Sequence, residues 1–187
     1  PIFIADGHHR YETALAFRDL MRAKERGDPA HEQRRPYNYI MMTLVSAEDP
    51  GLVILPIHRL LRHLPGGRLE AYLAQVARHF NVERFPVSRE PEAGAAALLG
   101  CLQRAREGRH SFGLYGGRET GYLLTLADER ILETEVAEGK PTIYKRLDVT
   151  ILHAPLIQGP QRRQGLAALP DDALNYTHDA VEAVRLV

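Results

Sequence analysis

Short apolar runs alternate in this chain with stretches whose apolar residues recur at helical spacing, and this alternation constrains the fold more than any other feature. Short runs bounded by turn residues are typical of buried strands, whereas a 3.6-residue period is typical of amphipathic helices. The predicted strands are residues 2–5, 37–46, 52–57 and 82–87, with a short extended piece at 174–176. The predicted helices are residues 8–26, 68–80, 91–108, 147–157 and 179–186. Strands alternating with helices predict an α/β fold, or a mixed α+β fold.

Glycine marks two further segments. Residues 110–115 and 121–127 flank a Gly-rich turn, which predicts a β-hairpin. A glycine loop that binds nucleotides would be followed by a helix, and the residues after Gly121 are strand-like instead. Residues 158–169 are polar and contain glycine, which predicts an exposed loop.

The chain has 187 residues, which is enough for one substantial core. A soft boundary at Pro65-Gly66-Gly67 predicts a strand–loop–helix portion over 1–64 and a further α/β portion over 65–187. Because the sequence begins inside a predicted strand and ends inside a predicted helix, we expect it to be a piece of a longer protein.

The charge balance disfavours some classes of protein, and the cysteine count excludes others. Lys and Arg together number 24, as do Asp and Glu, so the chain lacks the basic excess that nucleic-acid or anionic-membrane binders carry. A single cysteine, Cys101, excludes an intrachain disulfide framework and a zinc site built from several thiolates. No apolar run approaches the roughly 18 residues of a membrane span. We therefore expect a cytoplasmic protein with a small-molecule partner and no membrane partner.

The densest chemistry lies at Asp6-Gly7-His8-His9-Arg10, between a predicted strand and a predicted helix. The first turn of a helix has free N–H groups and the positive end of the macrodipole, so it favours an anion. Gly7 permits a positive φ or a close approach to a ligand, and Arg10 can bind phosphate in a bidentate manner. Asp6 can cap the helix, orient a histidine or hold a divalent cation. The structural alternative is an ordinary Asp-Gly turn before a capped helix.

A metal-binding variant of this motif uses His8 and Glu12, which are one helical turn apart. The same spacing is also that of an ordinary surface pair. We favour the ordinary pair and assign no metal ligands among the site residues, apart from the alternative that Asp6 holds a divalent cation.

Four segments resemble the domain-of-unknown-function family numbered 1015. They are ADGHHRYETAL, YNYIMMTLVSAEDPGLVILPIHRLL, YKRLDVTILHAPLI and LNYTHDA. The similarity extends over most of the chain and is weakest over about 81–140. The first two segments are the specific ones.

The DGHHR segment also resembles the strand–loop–helix phosphate site of the ParB and sulfiredoxin superfamily, which includes free-serine kinases. This resemblance implies a phosphate cradle formed by Gly7, His8, His9 and Arg10, with Asp6, His8 and His9 as the catalytic candidates. It implies a nucleotide (ATP, ADP or CTP), Mg²⁺, and phosphoryl transfer to a small hydroxylated metabolite. The alternatives are a nucleotide-binding switch without catalysis and a nucleic-acid-binding or nuclease module.

His58 and Arg59 follow the predicted strand at 52–57. Ligand contacts in α/β folds lie at the carboxyl ends of strands, so we expect both residues to bind the same phosphate. The structural alternative is a helix start whose polar side chains face solvent.

Other polar clusters favour structural roles, with a ligand role as the alternative for the first two. Thr177 is expected to cap a helix whose dipole Asp179 complements, although His178 has the chemistry of an acid–base group or a metal ligand. Asp148 is expected to cap the helix that follows Lys145 and Arg146. Solvated loops are expected at Arg34, Arg35, Arg162 and Arg163.

Overall fold

The computed structural model describes residues 2, 4–24, 34–53, 55–62, 64, 68–105, 109–136, 138–167 and 169–187. Contacts divide the chain into two compact units, Pro1–Ile54 and Leu55–Val187. The architecture is mixed α and β, as the sequence predicts. The predicted boundary at 65–67 lies outside the described residues.

The first unit is built around one long helix, α1 (His8–Lys24). Arg22 and Lys24 lie in its last turn, where positive side chains complement the helix dipole. The Arg22 guanidinium donates to the Asn38 side-chain oxygen from Nε and Nη2, at 3.0 and 2.6 Å. Asn38 belongs to a single 3₁₀ turn, Pro36–Asn38. The predicted helix is therefore present at the predicted place.

The strands predicted for this unit are wrong as far as the described residues show. Ile2, Ile4 and Ala5 form no strand, and neither do residues 37–46. The second of these segments faces solvent, with Met41 98% exposed. Apolar composition favours a strand only where a neighbouring strand supplies hydrogen bonds and a core covers one face, and the described part of this segment has neither.

A three-stranded antiparallel sheet organises the second unit. It consists of β2 (Phe80–Pro86), β3 (Ser111–Tyr115) and β4 (Thr120–Leu126), in the order β2–β4–β3. The central strand β4 is buried from Gly121 to Leu126. The predicted hairpin is confirmed, because β3 and β4 pair with Ser111 opposite Thr125 and Tyr115 opposite Gly121.

Helices cover this sheet and complete a single apolar core. They are α2 (Leu69–Val76), α3 (Pro91–Ala105), α4 (Leu132–Glu135), α5 (Thr142–Lys145) and α6 (Asp148–Ile151). The core combines helix residues such as Val76 and Ile151 with strand residues such as Phe80 and Leu124, all at most 2% exposed. The helical periods at 68–80 and 91–108 thus correspond to observed helices.

After α6 the chain continues as a wide π-helical turn, Leu152–Gln158, and then as α7 (Gly159–Arg163). The helix predicted at 147–157 is confirmed, but the exposed loop predicted at 158–169 is wrong over its first part. Pro160 lies in the first turn of α7, directly after the π-helical turn. Gly159, Pro160 and Gln161 are buried, so a polar and Gly-containing sequence here forms part of the packed unit.

A second, two-stranded sheet pairs β1 (His58–Leu61) with β5 (Leu174–Thr177). The strand predicted at 52–57 is displaced, because residues 52, 53 and 55–57 are irregular and pairing begins at His58. The last helix, α8 (Ala180–Arg185), follows β5 and packs on β1 and α3. Single 3₁₀ turns lie at Glu129–Ile131 and Asp171–Ala173. Within the described part of the chain, no helix combines the length and apolarity that crossing a bilayer requires.

Candidate functional site

The loop before α1 places a helix N-terminus directly after a left-handed glycine. Gly7 has φ of +78°, and its carbonyl accepts the first helical hydrogen bond, from the Tyr11 amide at 3.0 Å. Tyr11 is therefore the first residue whose amide donates within the helix, and the amides of His8, His9 and Arg10 have no intrahelical acceptor. No acidic side chain lies in this first turn. The positive end of α1 is thus not neutralised by a residue of its own first turn.

Arg10 folds back over this loop. A β-carbon built on Gly7 would lie 3.3 Å from the Arg10 Nη2 atom, so the guanidinium rests against the glycine backbone. Nη2 also lies 3.6 Å from Oδ2 of Asp6, with the two side chains 81% and 93% exposed. An exposed ion pair at this distance contributes little free energy, so another anion can replace the Asp6 carboxylate.

The two histidines lie side by side at the start of α1. Their ring centroids are 4.0 Å apart, with the ring planes inclined at 43°. Nδ1 of His9 lies 3.9 Å from Oε2 of Glu12, and the Thr13 hydroxyl donates to the His9 carbonyl at 2.8 Å. Glu12 therefore approaches His9 rather than the predicted His8. Among the residues with described positions, no three His, Cys, Asp or Glu side chains form a group able to hold a metal ion.

His58 and Arg59 are the first two residues of β1 in the second unit, so they do not follow the carboxyl end of a strand. They face Thr177 and Tyr176 across the β1–β5 pair. The Arg59 guanidinium donates from Nη1 to the Ile57 carbonyl, and it lies over the Tyr176 ring at 5.9 Å from the centroid. Burial, followed by the nearby Arg59 charge, lowers the pKa of His58 below its ordinary value of 6.5. Their participation in the phosphate site of the first unit stays a prediction.

The residues around His178 have structural contacts. Asp179 is the cap of α8, since its Oδ1 accepts from the Val181 amide at 2.8 Å and from the Glu182 amide at 3.3 Å. Nδ1 of His178 lies 3.2 Å from the Pro56 carbonyl oxygen. Thr177 ends β5 and donates its hydroxyl to Glu182. The cap is therefore Asp179 rather than Thr177.

The cluster at 145–148 is likewise engaged in ion pairs. Lys145 is buried and pairs with Glu133, and Arg146 pairs with Glu129. Asp148 accepts from Nδ1 of His110 at 2.7 Å instead of capping α6. These contacts join separate segments of the second unit, so their charges serve its packing.

Sequence patterns miss two features of the second unit. Arg162 and Arg163 both pair at 2.7 Å with Glu135, and Arg163 is nearly buried, whereas Arg162 stays half-exposed. A cavity also lies between β1, α3 and α8, with Arg59 among its lining residues. Neither leaves a local sequence signal, because each arises from segments that are distant in the chain.

The comparisons with known proteins give one match. No curated protein and no solved structure matches the chain. The model of the family described as "Protein of unknown function (DUF1015)" matches residues 1–150, which include the loop at Gly7–Arg10 and the pair His58–Arg59. Since this match spans most of the 187 residues, the chain belongs to the DUF1015 family of proteins of unknown function.

Proposed function

We propose that the first unit binds the phosphate of a nucleotide or of another phosphate ester at the loop Gly7–Arg10. The observation that carries this proposal is the position of the Arg10 guanidinium, folded over Gly7 beside the open N-terminus of α1. A phosphate there would accept from the helix amides and from a guanidinium that matches its geometry. The resemblance of DGHHR to the ParB and sulfiredoxin phosphate site supports the same assignment.

Each neighbouring side chain has a place in this proposal. His8 and His9 supply further donors, or acid–base groups, on the same exposed turn. Asp6 must release Arg10 when phosphate binds, and its carboxylate is then free to share a Mg²⁺ ion with phosphate oxygens, which is how this ion is commonly held. Such an ion would neutralise charge on the phosphate. Asp6 would supply one ligand of that kind and the phosphate the others, since the described residues contain no group of three or more His, Cys, Asp or Glu side chains able to hold a metal ion.

The reaction we propose is phosphoryl transfer to a small hydroxylated acceptor. This chemistry requires mainly positioning and the neutralisation of spread negative charge, which a basic helix N-terminus provides. Arg10 would be the main clamp on the transferred group. The sequence also predicts that His58 and Arg59 bind this anion. Nucleotide titration of the variant Arg59→Gln tests that prediction.

The test is calorimetric titration of the full chain with ATP, ADP and CTP, each with Mg²⁺, and with the variant Arg10→Ala. We expect this variant to lower nucleotide affinity by tenfold or more, because one charge-assisted contact has about this effect. Arg18→Ala is the matched control, since Arg18 lies on the same helix and pairs with Asp19 at 2.7 Å. It removes the same charge and should leave the affinity unchanged. Equal losses in the two variants would indicate a nonspecific charge effect and overturn the proposal.

Two further measurements separate the alternatives. Incubation with nucleotide and candidate hydroxylated acceptors distinguishes a phosphotransferase, which releases product, from a switch that binds without turnover. Titration with DNA at low and high salt tests the nucleic-acid module, because phosphate-backbone binding weakens steeply as salt is raised.

A further inference from the structure

The second unit contains a cavity of about 260 Å³. A cavity of ~150 Å³ lined by Leu, Ile and Phe holds benzene, so this cavity has room for a larger apolar group. Its walls are largely aliphatic and come from β1, α3, β3, the π-helical turn and α8. Leu98, Leu102, Leu114 and Leu156 line it, and Leu99, which is 40% exposed, connects it to the surface.

The charged residues of this cavity have one sign. Arg59 and His58 are its basic lining residues, and none of the described lining residues is Asp or Glu. The Nε atom of Arg59 is buried and makes no hydrogen bond, although Nη1 donates to the Ile57 carbonyl. A buried donor without an acceptor costs free energy, and this cost is larger when the donor belongs to a charged group such as a guanidinium. Among its described lining residues, the cavity thus combines a largely aliphatic wall with one guanidinium and no carboxylate.

We propose that this cavity binds a small amphipathic carboxylate, with its apolar body among the leucines and its carboxylate on Arg59. A carboxylate accepts two parallel hydrogen bonds from a guanidinium, whose planar geometry matches its own, and Arg59 is the guanidinium that lines this cavity. The apolar body would gain the free energy of leaving water, in proportion to the area that it buries.

The neighbours of Arg59 support an anion rather than a neutral ligand. His153 lies close enough for the Arg59 charge to add to burial in lowering the pKa of this imidazole. Burial and the Arg59 charge also lower the pKa of His58, and the Asp179 carboxylate opposes this shift without reversing it. Both imidazoles are therefore favoured in the neutral form near pH 7, which leaves Arg59 as the main positive charge and His58 as a hydrogen-bonding group on the cavity wall. This ligand is separate from the phosphate ester proposed for the first unit.

The test uses three probes in calorimetric titrations of the full chain. Octanoate carries both the apolar body and the carboxylate, 1-octanol carries the body alone, and acetate carries the carboxylate alone. We expect octanoate to bind tenfold or more tighter than either of the other two. Arg59→Gln should remove this preference and bind octanoate and octanol alike. Arg62→Gln is the matched control, since Arg62 directly follows β1 but does not line the cavity, and it should bind octanoate as the wild type does.

A second variant fills the space without touching the charge. Ala183 lines the cavity from α8, so Ala183→Leu should abolish octanoate binding while leaving urea unfolding close to that of the wild type. This variant keeps the proposal testable if Arg59→Gln does not fold. Absence of octanoate binding to the wild type, equal affinities for octanoate and octanol, or full binding to either cavity variant would overturn it.

Discussion

Glu135 holds together three segments of the second unit, and replacing it tests how far that unit depends on buried charge. Its carboxylate accepts from Arg163 Nη1 and from Arg162 Nη2, both at 2.7 Å, and its Oε1 atom lies 3.4 Å from His79 Nε2. The side chains of Glu135 and Arg163 are only 15% and 13% exposed. Glu135→Gln keeps the shape of the side chain and removes its charge, which leaves Arg163 as a nearly buried cation.

The expected loss of stability follows from these contacts. Removing one partner of a buried ion pair costs about 3–5 kcal/mol, whereas an exposed pair contributes at most about 1 kcal/mol. Arg163 retains weak contacts to the carbonyls of Gln75 and Pro155, at 3.3 and 3.4 Å, which places the loss at the lower end. Arg162 is half-exposed and adds little. We therefore expect Glu135→Gln to lower the free energy of unfolding by about 3 kcal/mol.

Urea unfolding followed by circular dichroism measures this loss. With a slope of about 1–3 kcal/mol per molar urea, the midpoint should fall by about 1–3 M. Glu92→Gln is the control, because Glu92 pairs with Arg185 at 3.3 Å and both side chains are about 60% exposed. The control should cost less than about 1 kcal/mol. Similar midpoints for the two variants would show that the Glu135 cluster does not behave as a buried ion pair.

Two further predictions concern a histidine and a glycine. Burial lowers the pKa of His153 below 6.5, so below about pH 6.5 the unfolded chain binds more protons than the folded chain. The free energy of unfolding should therefore fall from pH 7.5 to pH 5.5. His153→Gln should reduce this fall, as measured by urea midpoints at the two pH values. A steeper fall in the variant would contradict the assignment. Gly121→Ala should cost about 1–3 kcal/mol, because its β-carbon would lie 2.6 Å from Val87 and 2.7 Å from Phe85. Gly113→Ala in the same hairpin, with Leu102 at an ordinary 3.4 Å, should cost less, and equal thermal midpoints would refute the clash.

The elements that the sequence predicts well are those whose signal is local. The period of the apolar residues places α2 and α3, and the glycine turn places the hairpin. The helix that begins at His8 follows from the same reasoning. In each case the residues that specify the element lie within it, so no distant partner is needed.

The errors concern residues whose structure depends on distant contacts. The apolar segment around Met41 predicts a strand, but a strand also requires an adjacent edge, and the described residues supply none there. His58 and Arg59 pair with β5, more than a hundred residues further along the chain, so their place within a strand has no local signal. Arg163 is polar in sequence and buried in the fold because Glu135 reaches it from α4.

The candidate site divides in the same way. The glycine, the helix start and the first-turn basic residues of DGHHR are local features, and the structure has all of them. The fold of Arg10 over Gly7 and its approach to Asp6 depend on a side-chain conformation, which no residue pattern specifies. The predicted phosphate chemistry of this loop thus rests on both kinds of feature.

Arg10 and Arg59 offer a decisive comparison, because the sequence assigns both to one anion and the cavity assigns Arg59 to another. If one phosphate contacted both guanidiniums, either variant would weaken nucleotide binding. If the sites are separate, Arg10→Ala lowers only nucleotide affinity and Arg59→Gln lowers only octanoate affinity. The cavity that Arg59 lines has largely aliphatic walls, where a fully hydrated polyphosphate would lose more solvation than a monocarboxylate with an apolar body. We therefore expect each variant to lower the affinity for a different ligand. Loss of nucleotide binding in Arg59→Gln would instead show that Arg59 belongs to the phosphate site.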